Sequence, residues 1–205
     1  MDAMSQPVGQ RSPRTPSRDL EAALIEAAEA VLLREGPTAI TVRAVAAEAS
    51  VSPMGVYNRF GNKQGLVDLL LVRGFDLLRA AIRDRGEMDA LERLRAAGER
   101  YRRFALDNPQ YYALLFTSGP RYSDLSPDVA ERAPAAFGEL VGHVAYGMAT
   151  GAIPQADAFE LAQQIWCCVH GAVLLEMSDQ VKTADPAGTY SALLAMIERG
   201  IRSPS

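Results

Sequence analysis

Three features of the 205-residue chain predict an all-α protein in two parts. Apolar residues recur at helical spacing along most of its length, and nothing between residues 17 and 85 alternates as a strand would. Gly, Pro and Asn-Pro breakers cut the remainder into helix-sized pieces. The expected architecture is a small N-terminal three-helix unit with a helix-turn-helix pattern. It is joined through a fourth helix to a larger helical domain.

Residues 1–16 are rich in Pro, Ser and Gln without an apolar period, which predicts a disordered arm. Ser17 can cap the first helix, with Asp19 and Glu21 near its positive end. Leu20, Ala23, Leu24, Ala27, Ala28, Val31 and Leu32 then form one apolar face, and Gly36-Pro37 ends it. Thr41 opens a short second helix with Val42, Val45, Ala46 and Ala49 inward. Ser52-Pro53 reads as the N-cap and first position of a third. Asn62 caps a longer fourth helix carrying Leu66, Leu69, Leu70, Leu77, Leu78 and Ile82. Further helices are expected at about 88–107, 109–117, 127–150, 155–180 and 186–201, from breakers that include Asn108-Pro109 and Asp185-Pro186. The domains are expected at 17–65 and 66–205, with the break inside the fourth helix near Asp68, because no flexible linker occurs there.

Composition narrows the function classes. Hydrophobic residues make up 48% of the chain, enough for a true core. The longest apolar stretches are broken by Asp68, His170 and Glu176, so no membrane span is expected. The polar start lacks a signal peptide's apolar core, which predicts a cytoplasmic protein. Cys167 and Cys168 are adjacent, and helical neighbours point about 100° apart, so no disulfide framework is expected. No phosphate loop, nucleophile elbow or metal motif occurs, and His143 and His170 lack metal-ligand spacing. The reading is therefore a non-enzyme with no cofactor and no metal. A net charge of −4 argues, at first sight, against a nucleic-acid partner.

Residues 41–65 answer that objection. Two short helices joined by a tight turn, the second opened by Ser-Pro, make a helix-turn-helix pattern. This stretch carries Arg43, Arg59 and Lys63 against Glu48 alone, a local net charge of +2. From residue 66 onward 14 basic residues face 18 acidic ones, so the acidity belongs to the other domain. Val45, Val51, Val56 and Phe60 are apolar pegs against the first helix. Thr41, Tyr57 and Lys63 are placed to hold phosphates. Arg43, Ser52, Pro53, Met54, Gly55 and Asn58 complete the surface where base edges would be read. Gly55 costs roughly 1 kcal/mol relative to Ala inside a helix, and a bare backbone there would let DNA approach closely.

The segment TVRAVAAEASVSPMGVYNRFGNKQGLVDLLL resembles the DNA-binding part of the TetR family of bacterial transcriptional regulators. The resemblance rests on Thr41, Ala46, Val51, Ser52, Val56, Tyr57, Phe60, Lys63 and Leu66 in order and spacing. Met54, Gly55 and Arg59 depart from the commoner pattern of Gly, Thr and His, which leaves the operator undetermined. The runs DNPQYYALLFTSG and IWCCVHGAVLLEM, over roughly 105–180, resemble a C-terminal subtype of the family marked by Trp, His and Gly.

The resemblance implies a ligand-responsive regulator, a repressor by family default, that binds double-stranded palindromic operator DNA as a homodimer. A small-molecule effector would release it. Candidate pocket residues are Tyr101, Phe104, Tyr112, Phe116, Phe137, Trp166, His170 and Met177, with His143 and Glu176 as further polar candidates. The resemblance places the dimer interface on the eighth and ninth helices. Leu161, Ile165, Val169 and Ala172 serve on one, and Tyr190, Leu193, Leu194 and Ile197 on the other. The alternatives are an activator that needs a co-ligand, or a thiol sensor at Cys167 and Cys168. Buried helical cysteines are usually inert, which weighs against the sensor.

Overall fold

The computed structural model describes residues 17–83, 86, 89–120 and 122–203, with the side chains of 17–19 and 122 not among them. The capping role of Ser17, the placement of Asp19, and the arm at 1–16 lie outside what is described. Among the described residues all regular structure is helical: α1 (Ser17–Glu35), α2 (Val42–Glu48), α3 (Pro53–Phe60), α4 (Lys63–Ile82), α5 (Ala90–Asp107), α6 (Pro109–Phe116), α7 (Pro127–Ala149), α8 (Ala158–Met177) and α9 (Pro186–Ile201). These agree with the expected helices to within about three residues at either end.

The helices start where the sequence supplies side-chain acceptors for orphan N–H groups. Thr41 accepts from the Ala44 N–H at 3.1 Å, Ser52 from Gly55 at 3.4 Å and Asn62 from Gly65 at 3.2 Å. Asp89, Asp157 and Asp185 do the same for α5, α8 and α9. Each such cap contributes about 1 kcal/mol. Gly61, at φ 72°, closes α3 in a conformation that L side chains rarely adopt.

Helices α1 to α3 form a compact head. Leu24, Ala28, Leu32, Val45 and Val56 are fully buried there and share one core with Leu66 and Leu70 of α4. α4 then leaves the head and packs along α7 and α5. The same core runs on without a gap to Tyr101, Phe104 and Tyr112. A second cluster, with Leu91, Leu94, Val144, Ile153 and Ile165, holds the far end of the body.

One helix stands apart in composition. α8 is long and apolar enough, by length and composition alone, to cross a membrane. Glu176 lies in its last turn and is paired with Arg102 through two hydrogen bonds of 2.7 and 2.5 Å. The inner face of α8 packs against α5, α7 and α9. The outer face, including Leu175 at 50% exposure, is left open among the described residues.

The junction between α3 and α4 is tight. A Cβ on Gly65 would collide with the Phe60 carbonyl oxygen, a backbone atom that cannot swing aside. Gly65→Ala is expected to destabilise the protein by about 1–3 kcal/mol. Urea unfolding checks it, as a lower midpoint at unchanged slope.

Candidate nucleic-acid interface and ligand cavity

The turn between α2 and α3 is made by Ser50 in a left-handed conformation (φ 55°), with Val51 N–H returning to the Ala46 carbonyl at 2.9 Å. This sets α3 across α2, while Val56 is buried beneath it. Thr41, Arg43, Ser52, Pro53, Met54, Tyr57, Asn58 and Lys63 are all exposed. Met54 and Tyr57 stand out as large apolar or aromatic side chains at 63% and 48% exposure.

Charge on the head is arranged by ion pairs. Glu48, the acid of this stretch, turns to Arg34 on α1 at 2.8 Å, which holds its carboxyl below the usual range. Arg59 pairs with Glu21 of α1 and so braces α3 against α1. Among the described residues, Arg43 and Lys63 have no carboxylate partner. The local surplus of +2 thus survives, but Arg43 and Lys63 carry it and Arg59 does not. Gly55 is half-buried, and a Cβ there would rest on Val51 and Ser52 at about 3.9 Å. Packing therefore does not demand glycine at that position.

A cavity of about 610 Å³ lies in the body between α4, α5, α7, α8 and α9. Its space comes from small residues: α7 presents Ala133, Pro134, Ala136 and Gly138 to it, and α5 presents Ala97 and Gly98. Pro134 also interrupts the α7 hydrogen-bond ladder, which the sequence reading overlooked. The predicted pocket residues Tyr101, Phe116, Phe137 and Trp166 do line the cavity. Phe104, Tyr112, His170 and Met177 do not. Phe104 and Tyr112 are packed into the core, and Met177 lies against it. His170 is spent on a polar cluster, its Nδ1 lying 2.8 Å from the hydroxyls of both Tyr101 and Tyr112. Glu176 is held by Arg102. His143 lines the cavity with its Nε2–H donated to the Ile82 carbonyl at 2.9 Å, which satisfies the C-terminal end of α4.

The residues expected at a dimer face fall into two groups. Ile165, Val169, Leu194 and Ile197 line the cavity, and Tyr190 is buried with its hydroxyl donating to the Gly98 carbonyl at 2.9 Å. These five point into their own chain. Leu161, Ala172 and Leu193 are half-buried, the first two against the core clusters, while Cys168, Leu175 and Met196 are exposed. Cys167 and Cys168 are both exposed, against the expectation of buried thiols. Sequence reasoning missed Phe75, Leu78 and Ile82, the α4 wall of the cavity, since their spacing matches that of ordinary core residues.

An exposed helix-turn-helix rigidly joined to a helical body with a large internal cavity defines a DNA-binding transcriptional regulator. The chain matches the family model for bacterial regulatory proteins of the tetR family over residues 24–70. It matches that for the tetracyclin repressor-like C-terminal domain over residues 94–197. It belongs to the TetR family. It is 28% identical to the HTH-type transcriptional regulator Rv1816 of Mycobacterium tuberculosis, across 90% of this chain and 92% of that one. Among solved structures it resembles a Rhodococcus sp. RHA1 protein of unknown function, with a TM-score of 0.80, 26% identity and coverage of 97% and 100%. A TetR family regulator from Marinobacter aquaeolei VT8 shares the fold, with a TM-score of 0.68, 20% identity and coverage of 91% and 98%.

Burial lowers the affinity of His170 for a proton below that of a free imidazole. The folded state therefore holds the ring neutral while the unfolded chain protonates it near pH ~6.5. Stability is full above that value and falls as the pH drops through it towards the folded-state value. Urea midpoints measured across this range should decline on the acid side, and His170→Gln should flatten the decline.

Proposed function

We propose that the protein is a dimeric repressor which holds a two-fold operator in its apo form and lets go when a small molecule fills the cavity. The observation that carries this reading is α4. Its N-terminal half, through Leu66, Val67 and Leu70, belongs to the core of the head, while Phe75, Leu78 and Ile82 line the cavity. A ligand that fits one tilt of α4 better than another changes the spacing of two heads about 34 Å apart. A tenfold fall in operator affinity needs about 1.4 kcal/mol of coupling.

In this reading residues 17–65 are the DNA-binding unit and 66–205 the sensing and dimerisation unit. Arg43, Met54 and Asn58 face base edges, and Thr41, Tyr57 and Lys63 face phosphates. The C-terminal part is of the Trp-His-Gly type, on Trp166, His170 and Gly171. The uncovered outer face of α8, with Leu175 and Cys168, and Met196 of α9 pair with a second copy. Large apolar side chains left exposed, Leu175 at 50% and Met196 at 54%, are what a partner copy would cover.

The decisive experiment selects operator fragments from genomic DNA with the purified protein, then screens metabolites for release. Failure to retain any fragment overturns the reading. A second reading, a thiol sensor, is favoured by the exposure of Cys167 and Cys168. A double Cys→Ser variant with an unchanged response to oxidant removes it.

Two outcomes follow from the placement of single residues. Lys63→Ala should weaken binding to all DNA sequences and reduce the salt slope of the binding constant by about one. Titration of retained DNA at several salt concentrations measures this. Leu175→Arg should shift the dimer to monomer in analytical ultracentrifugation and abolish operator binding, with helical content intact by circular dichroism.

A further inference from the structure

We infer that the cavity takes an uncharged aromatic or polycyclic molecule carrying a hydrogen-bond acceptor oxygen, which Tyr101 receives. The inference rests on the reading above only in assigning the cavity a ligand.

Its aromatic character comes from the walls. Phe159, exposed at the surface, packs edge-on to Phe137 at 5.1 Å, and Phe137 lies 5.9 Å from Trp166. Trp166 lies 6.2 Å from Phe116, which meets Phe75 of α4 edge-on at 6.4 Å. All five rings line the cavity, so a continuous aromatic wall runs from the protein surface to the helix that enters the head. Such faces and edges favour a ring system over a flexible chain.

Its neutrality comes from the charges. Arg95 and Glu198 are the charged side chains among the lining residues, and they satisfy each other through two hydrogen bonds of 2.6 Å. An ionic ligand would enter a largely apolar space with no free counter-charge, and a buried unpaired charge is strongly disfavoured.

Its acceptor oxygen comes from counting protons at the Tyr101–Tyr112–His170 cluster. The three polar atoms are mutually close, at 3.0, 2.8 and 2.8 Å. If His170 Nδ1 bore no proton, the two phenolic protons could cover only two of the three contacts, leaving one pair of close polar atoms with no hydrogen between them. With the proton on Nδ1, the ring N–H is shared by both oxygens, and one phenol donates to the other. A single phenolic proton is then left over. Tyr112 is fully buried outside the cavity, whereas Tyr101 lines it, so Tyr101 is the phenol placed to offer that O–H to a ligand. Burial pushes Tyr101 up to about 12, which keeps it a donor at neutral pH.

Calorimetric titration of the full chain without DNA tests this with matched probes. Acetylnaphthalene is expected to bind about three- to tenfold tighter than ethylnaphthalene, the worth of one hydrogen bond. Naphthoate and N-methylquinolinium should bind about a hundredfold weaker than the ketone, or more weakly still. Decanone, neutral and acyclic, should also bind more weakly than acetylnaphthalene. Tyr101→Phe should erase the ketone's advantage and leave the hydrocarbon's affinity unchanged. Equal or tighter binding of either ion, of decanone or of ethylnaphthalene to the native chain overturns the inference, as does failure of acetylnaphthalene to bind. These measurements need no operator, so a different ligand class that releases DNA would sink this inference while leaving the repressor reading intact.

Discussion

Everything in this molecule depends on one helix being asked to belong to two cores. α4 begins under the head, where Leu66 and Leu70 are fully buried, and ends at Ile82, whose carbonyl is held by His143. A continuous helix is stiff along its axis, because each turn is hydrogen-bonded to the next. Displacement of its C-terminal half therefore reaches the head as a tilt, with no loop to absorb it. The core beneath is likewise continuous, so there is no plane along which head and body can slide independently.

A second tie runs beside the first. Glu29 on α1 accepts from both Arg73 of α4 and Tyr111 of α6, each at 2.7 Å. The next residue on α6, Tyr112, enters the His170 cluster, and Phe116, a turn further on, lines the cavity. α6 thus touches the head, the polar cluster and the cavity within eight residues. Its close seat on α4 depends on Gly74, where a Cβ would lie 3.0 Å from the Tyr111 ring. Elsewhere the body is closed by bidentate pairs, Arg95 with Glu198 and Arg102 with Glu176, that clamp α5 to α9 and α8. Such pairs fix geometry more than they add net stability.

Much of this was legible in the residues, because helix ends are written locally. Thr41, Ser52-Pro53, Asn62 and Asp185-Pro186 each supply the group that a helix start needs, and their positions required no tertiary knowledge. The exposed face of the helix-turn-helix was legible for the same reason, since the apolar pegs leave few other positions free. The faces of α8 were not. That helix is apolar almost all round, so periodicity cannot distinguish a face turned to a cavity from one left for a partner. Ile165 and Val169 were assigned outward and lie inward, while Cys167 and Cys168 do the reverse. The aromatic side of the cavity was legible through Tyr101, Phe116, Phe137 and Trp166, but its small-residue wall was not, because there an absence of side chains makes the space. Ala133, Pro134 and Gly138 read as ordinary helix residues until their neighbours are known to be missing.

That wall of small residues gives the protein room to change its chemistry over generations. Gly138 lines the cavity, and a Cβ built on it would meet nothing within 4 Å. Substitution there alters the shape of the cavity without displacing a packed neighbour, so a change in its lining need not first be compensated by repairs to the core. The head and the shared helix can stay fixed while this one surface is rewritten. A lineage carrying this scaffold can therefore reshape the cavity in single steps, each passing through a folded protein.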